Sequence, residues 1–377
     1  MRILFDGRVI TDHFPGIGRY AYHLAGALAD RAEVEITLLV DSISPHRRYD
    51  LDALALTHPR IKLLPVPVPT FSRKEQTLLP RFIRSIDHEV YHAQHYARPY
   101  FGLRKPVVLT LHDLIPLILP QYWSIKNRLI YRWLNRLALR TAAKIITPST
   151  ATRNDLIRLF GVKSDRVQVI PEAVDNRFKP ASADRVAAIR SKYQLPAHYW
   201  LYVGINKPPK NLLRLIEAYA RLIETIPQYE YDCVIAGAWD DRYPQAKQQT
   251  IELGLAQRVH FIGSISDADL PSLYSGADVF VTPSLYEGFG LPVLEAMACG
   301  TPVISSQASS LPEVVDDAGI LFDPMSVEAI AAAIQHVTTN TNLRLELQQR
   351  GLERVKHFTW DRAAEETINV YQAVMGW

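Results

Sequence analysis

Cysteine is scarce in this 377-residue chain: Cys233 and Cys299 lie far apart, with no C-x-x-C spacing. A disulfide framework and a cysteine zinc site are excluded, and two isolated thiols suit a reducing compartment. Long apolar runs are missing as well. None approaches the ~20 residues of a membrane span. The opening Met1-Arg2-Ile3-Leu4-Phe5-Asp6 reaches an acid too early for a signal peptide. These absences predict a soluble, cytoplasmic protein, one still able to sit peripherally on the inner face of a membrane. Net charge is small, 42 Lys and Arg less 39 Asp and Glu giving +3, and no nucleic-acid motif accompanies it. Low-complexity segments and short-period repeats are also absent.

What is present is a strand–helix rhythm. Residues 2–5, 33–40, 106–111 and 144–148 read as strands, the last two apolar without alternation, as buried parallel strands are. Residues 19–30 read as a helix. A less regular stretch, 171–196, reads as a domain junction. The rhythm then restarts, with strands at 199–203, 231–236, 259–262, 278–282 and 302–305. Helices are expected at 210–225, 269–275, 291–299, 326–338, 342–357 and 361–375. Two α/β halves with parallel, doubly wound sheets follow. The length also suits two domains.

Gly16-Ile-Gly-Arg-Tyr-Ala21, with Asp41 downstream, imitates a dinucleotide fingerprint. Its context is wrong, because Asp6–Pro15 separates the first glycine from its strand. Gly16 and Gly18 either shape a loop before a helix or bring bare backbone close to a phosphate or sugar.

Residues 282–304, TPSLYEGFGLPVLEAMACGTPVI, are the most informative. A strand ends at Thr282, and a loop carries Gly288, Phe289 and Gly290. Pro292 suits the first turn of a helix starting near Leu291. Free N–H groups and the positive dipole end make an anion site there. Glu287 and Glu295 lie near that same end. Beside an anion, each is better used accepting hydrogen bonds from sugar hydroxyls.

Glu287-Gly-Phe-Gly-Leu-Pro…Glu295-Ala-Met-Ala-Cys-Gly-Thr-Pro-Val resembles the E-x7-E signature of the family 4 retaining glycosyltransferases, and in particular the bacterial polysaccharide mannosyltransferases of that family. The resemblance covers nearly the whole chain. It implies the GT-B fold, two Rossmann-like domains facing across a cleft. The implied boundaries are residues 1–172 (acceptor side), 173–360 (nucleotide sugar) and a helix at 361–377 crossing back to the first domain. Tyr202-Val-Gly-Ile-Asn-Lys-Pro-Pro-Lys-Asn-Leu resembles the segment with the family's phosphate-binding lysine, which places Lys210 there. Thr110-Leu-His-Asp-Leu resembles the segment with its active-site histidine, His112, beside Asp113. Gly16 matches the N-terminal glycine loop, and Val259–Asp267, with Ile265, the segment around the base. Phe358-Thr-Trp-Asp matches the entry to the last helix. One departure stands out: many members carry Arg where this chain has Ile205, and the mannosyltransferase branch carries Arg where it has Pro209. Lys207 is the nearest substitute.

The resemblance implies transfer of a hexose from a nucleoside-diphosphate sugar, GDP-mannose first and UDP-glucose second, to a glycan or glycolipid hydroxyl. The donor is a substrate, and no metal or other cofactor is expected. A metal-dependent transferase needs D-x-D after a buried strand, and Asp50-Leu-Asp52 and Asp267-Ala-Asp269 read instead as solvated pairs. Alternatives on the same fold are a phosphorylase, a nucleotide-sugar epimerase or a non-catalytic sugar-nucleotide-binding regulator.

From Leu114 to Asn154 there is no acid, while Arg128, Arg132, Arg136 and Arg140 recur every fourth position. Trp123, Tyr131, Trp133 and Leu134 lie among them. A second segment, Phe71–Arg84, mixes cations with Leu78, Leu79, Phe82 and Ile83. Basic amphipathic stretches suit an anionic membrane surface, though an ordinary solvated helix face has the same pattern.

Overall fold

The computed structural model describes residues 1–42 and 49–376, so Trp377 of the expected 361–377 segment lies outside it. Two compact units form: residues 1–173 with 359–377, and residues 174–358.

The first unit holds a seven-stranded sheet. Its strands are β1 (Arg2–Asp6), β2 (Glu35–Asp41), β3 (Ile61–Val66), β4 (Val90–Ala93), β5 (Val107–Thr110), β6 (Lys144–Thr147) and β7 (Val167–Val169), in the order 3-2-1-4-5-6-7. Every neighbouring pair is parallel. Period-2 alternation covers both faces. Ile3 and Phe5 pack with Leu24 and Leu28 of the Pro15–Ala29 helix and with Ile368 and Tyr371 of the Trp360–Met375 helix. Leu4 packs on the other side with Ile83, Ala138 and Leu156. The last helix is held by polar contacts too: the Tyr371 hydroxyl lies 2.6 Å from His92 Nδ1, and Trp360 stacks on His23.

The second unit holds six parallel strands, β8 (Tyr199–Val203), β9 (Asp232–Ala236), β10 (Val259–Gly263), β11 (Val279–Thr282), β12 (Val303–Ser306) and β13 (Gly319–Phe322), in the order 10-9-8-11-12-13. Trp200 and Tyr202 face Leu215, Tyr219 and Ile330. Leu201 faces Leu273, Leu294 and Val314. Both cysteines are buried within these layers. Each unit is a Rossmann-like parallel sheet. In each, strand order reverses at one point, between β1 and β4 and between β8 and β11, where open α/β sheets bind ligands beyond the strand ends.

Two expectations change, and some strands were not foreseen. The first helix starts at Pro15, not residue 19, so Gly16 and Gly18 are helical rather than loop residues. Pro15 suits a first helical position, where its missing N–H is no loss. A Cβ on Gly18 would sit 3.0 Å from the Val9 carbonyl, so packing explains that glycine, whereas Gly16 is open. The expected junction contains a helix, Ala183–Lys192, whose single buried residue, Ile189, leaves little apolar signal. The central strand β4, Val-Tyr-His-Ala, was too short and polar to stand out.

Candidate active site

Lys210 follows β8 and Glu287 follows β11, the two strands flanking the reversal in the second sheet. Their side chains meet, with Nζ 2.5 Å from Oε1. Both are mostly buried. Ser284 Oγ donates to the same Oε1 at 2.7 Å. The Glu287 amide donates to Ser309 Oγ at 2.8 Å, and the Ser309 and Ser310 hydroxyls donate to the Glu287 carbonyl at 2.9 Å. Glu287 is thus held by backbone and carboxylate at once.

Lys210 ends a short 3-10 turn, Pro208–Lys210, and the Leu285 amide donates to the Pro209 carbonyl at 2.8 Å. Asn211 comes next, in the left-handed region at φ 60, opening the Leu212–Thr225 helix. Its buried amide donates to the Pro283 and Pro324 carbonyls at 3.0 and 2.8 Å. Asn211 therefore ties the lysine turn to the glutamate loop. The sequence reading gave it no role, although asparagine is the side chain that tolerates αL and also donates. Asn211→Ala is expected to destabilise the protein by about 2–4 kcal/mol. The αL position contributes roughly 1–2 kcal/mol, and the unpaired buried carbonyls roughly 1–2 more. Asn211→Gly removes only the second part and should lie between. Denaturant unfolding of the three proteins checks this order.

The Glu287 loop ends at Gly290, φ 118, the residue preceding the Leu291–Ala298 helix. A Cβ there would meet the Leu311 side chain at 2.8 Å. Leu291 and Pro292 form the first turn, as their order suggests. Gly288 is half-buried beside Glu287. The Phe289 ring is a core residue, edge-on to Phe358 at 5.9 Å, and its carbonyl accepts from the Ser310 hydroxyl at 2.7 Å. Glu295 is fully buried and accepts a hydrogen bond from the Tyr274 hydroxyl at 2.9 Å. The two carboxylates therefore sit in different surroundings, one beside a cation and one beside a phenol. Lys207 is exposed near Asp240, whose carboxyl Arg242 holds down at about 2. Ile265 packs partly against the core.

In the first unit, His112 lies just beyond β5. Its Nδ1 is 3.0 Å from Glu172 Oε1, and Tyr20 packs edge-on at 4.9 Å. Nε2 is buried without a partner among the described residues. Asp113, its chain neighbour, instead accepts the Ile115 amide at 3.1 Å. Glu172 is the residue that orients the imidazole, and sequence reasoning missed it. Its only signal is an acid, Pro171-Glu172-Ala173, just past a strand.

The D-x-D pairs have structural work rather than simple solvation. Asp50 caps the Leu51–Thr57 helix, and Asp269 pairs with Lys192 at 2.6 Å. Among the described residues, no three His, Cys, Asp or Glu form a metal-ligand group. Arg132, Arg136 and Arg140 are exposed on the Ile125–Thr141 helix and Arg128 is half-buried. Ile125, Leu129 and Trp133 stand exposed at i, i+4 and i+8 on the same helix.

Residues 15–178 match the family model "Glycosyltransferase Family 4" and residues 188–354 match "Glycosyl transferases group 1". O-antigen chain mannosyltransferase B of Escherichia coli is 34% identical over 99% of this chain and 100% of its own length. The serotype-specific mannosyltransferase WbdA of the same species is 32% identical over 71% of this chain, which spans 33% of it. Among solved structures, sucrose-phosphate synthase from Thermosynechococcus elongatus superposes with a TM-score of 0.80 at 23% identity, covering 100% and 99% of the two chains. Anabaena HepE, solved with UDP and glucose, gives 0.78 at 21%, covering 99% and 100%. The chain belongs to glycosyltransferase family 4, with the GT-B type of fold, and is similar there to the bacterial polysaccharide mannosyltransferases.

Proposed function

We propose that this glycosyltransferase retains the anomeric configuration, needs no metal, and moves a hexose from a nucleoside-diphosphate sugar to a glycan or glycolipid hydroxyl in polysaccharide biosynthesis. GDP-mannose is the first donor and UDP-glucose the second. The Lys210–Glu287 contact at the strand reversal carries the reading. As the bond to the sugar breaks, negative charge grows on the departing diphosphate. Lys210 and the N–H groups opening the Leu291–Ala298 helix are preorganised to meet it. That pair supplies what a metal supplies elsewhere. Glu287 accepts hydrogen bonds from donor hydroxyls; the same role for Glu295, whose carboxylate is buried against the Tyr274 hydroxyl, comes from the family resemblance alone. His112, set in one tautomer by Glu172, contacts the transferred sugar; this role comes from the family resemblance. The diphosphate oxygen takes the acceptor's proton as the new bond forms on the face the leaving group vacates. Relatives named mannosyltransferases favour the mannose donor. The anomeric proton signal of the product, recorded with EDTA present, tests the reading. An α-linked product supports it; a β-linked product, or activity lost to EDTA, refutes it.

We further propose that the Ile125–Thr141 helix rests on an anionic bilayer that presents a lipid-linked acceptor. Ile125, Leu129 and Trp133 would enter the interface while Arg132, Arg136 and Arg140 meet headgroups. No helix among the described residues is long and apolar enough to cross a membrane. Cosedimentation with phosphatidylethanolamine–phosphatidylglycerol vesicles is expected at low salt. It should fall at least tenfold in Trp133→Glu and at ~1 M salt, where charges are screened within ~3 Å. Equal sedimentation of wild type and variant contradicts the proposal.

A further inference from the structure

Between β12 and β13 lies a five-residue helix, Leu311–Val315, whose first end meets the Glu287 loop residue by residue. The Ser309 hydroxyl accepts from the Glu287 amide at 2.8 Å and donates to the Glu287 carbonyl at 2.9 Å. The buried Ser310 hydroxyl reaches the carbonyls of Glu287 and Phe289 at 2.9 and 2.7 Å. Leu311 packs so close to Gly290 that a Cβ there would stand 2.8 Å from its side chain. Three consecutive residues therefore fix Glu287, Phe289 and Gly290.

Both flanks of this helix are strained. Ser309 stands at φ 52 and Asp316 at φ 51, a costly region for residues with a Cβ. Strain of this kind persists only where its surroundings over-determine it, and it gathers at functional sites. Glycine would take the Ser309 conformation freely. What serine adds is a hydroxyl, and both of its bonds go to Glu287.

The far flank is held by Arg354, half-buried on the Thr341–Val355 helix. Its Nη2 donates to the Glu313 carbonyl at 2.7 Å and its Nε to the Val314 carbonyl at 3.1 Å. Its Nη1 pairs with the Asp316 carboxylate at 3.2 Å. The last carbonyls of a helix have no partner within it. One guanidinium thus closes the helix end and secures the strained residue after it. The same guanidinium lies 5.1 Å from the centre of the Phe358 ring, which is edge-on to Phe289. Arg354 is linked to the Glu287 loop by two routes, the short helix and the Phe358–Phe289 pair.

We propose that the Leu311–Val315 helix is a brace that sets the Glu287 loop, and that Ser309 and Arg354 are positioning residues acting through it on the rate of transfer. This rests on the role given to Glu287 above.

Arg354→Met and Ser309→Ala are each expected to lower kcat about 10–100-fold, since a misplacement of about 1 Å can cost about 100-fold. Affinity for GDP or UDP should not fall, because Lys210 is untouched. Both residues act through one helix, so the double variant should be no slower than the slower single one; losses that multiply overturn the brace. Ser309→Gly removes the hydroxyl and the φ cost together. It should be more stable than Ser309→Ala and equally slow, and turnover that rises with stability overturns the brace. This pair decides even where Arg354→Met does not fold. Hydrogen exchange reads the loop without any donor: the Glu287 amide should exchange about tenfold faster in Arg354→Met, and unchanged exchange overturns the proposal. Glu287→Ala is assayed alongside. Near-wild-type turnover there overturns the role of Glu287, whereas loss there with full turnover in the Ser309 and Arg354 variants overturns the brace alone.

Discussion

Lys210→Met is expected to lower kcat about 100–1,000-fold, the usual cost of removing one preorganised group at a developing anion. Nucleotide affinity should fall with it. The diphosphate already carries charge in the bound donor, so Lys210 acts in both ground and transition states, and KM rises as kcat falls. Methionine keeps the length of the side chain and removes only the charge. The effect is expected to be large because this chain has Ile205 and Pro209 where the family resemblance implies arginine, so few other cations share the load. Lys207 is exposed and near Asp240, which draws on its charge. Steady-state kinetics with nucleotide calorimetry measures both terms. A loss below tenfold in kcat contradicts the role.

Glu287→Ala should behave differently. Transfer is expected to drop by at least a thousandfold, while the nucleoside diphosphate binds as well as before or more tightly. The reason is electrostatic. The Glu287 carboxylate lies 2.5 Å from the Lys210 ammonium and offsets its charge. Toward a diphosphate that carboxylate is repulsive. Removing it frees the lysine for the nucleotide and removes the acceptor for sugar hydroxyls. The two substitutions therefore separate: one weakens nucleotide binding and the other does not. Near-wild-type turnover in Glu287→Ala, or parallel loss of nucleotide affinity in both variants, contradicts the assignment.

Much of this was legible because it is local. Gly288-Phe-Gly-Leu-Pro292 encodes a turn and a helix start within a few residues, and the helix begins at Leu291 as read. The apolar runs at 199–203 and 279–282 are strands because both faces of a parallel sheet are covered. What escaped is long-range or conformational. Glu172 reaches His112 across 60 positions, and no spacing rule links them. Asn211 matters through a positive φ and two distant carbonyls. Gly16 and Gly18 looked like loop residues because glycine disfavours helix, yet Pro15 starts the helix and Gly18 lets it pack on Val9. Exposure was also invisible. The four-residue arginine spacing was readable, but whether Ile125, Leu129 and Trp133 faced core or solvent depended on which side Asn135, Ala138 and Leu139 took.

The central claim is that the Lys210–Glu287 end of the second unit binds a sugar nucleotide without metal. Thermal unfolding of wild type and Lys210→Met with GDP, UDP, ADP, GDP-mannose and UDP-glucose, each with and without EDTA, tests it most directly. A ligand at ~100 times its dissociation constant adds about 2.7 kcal/mol to native stability, a visible shift. The account predicts that one base stabilises wild type, that EDTA leaves the shift unchanged, and that Lys210→Met loses most of it. No shift with any nucleotide at millimolar concentration, or a shift abolished by EDTA, would contradict it.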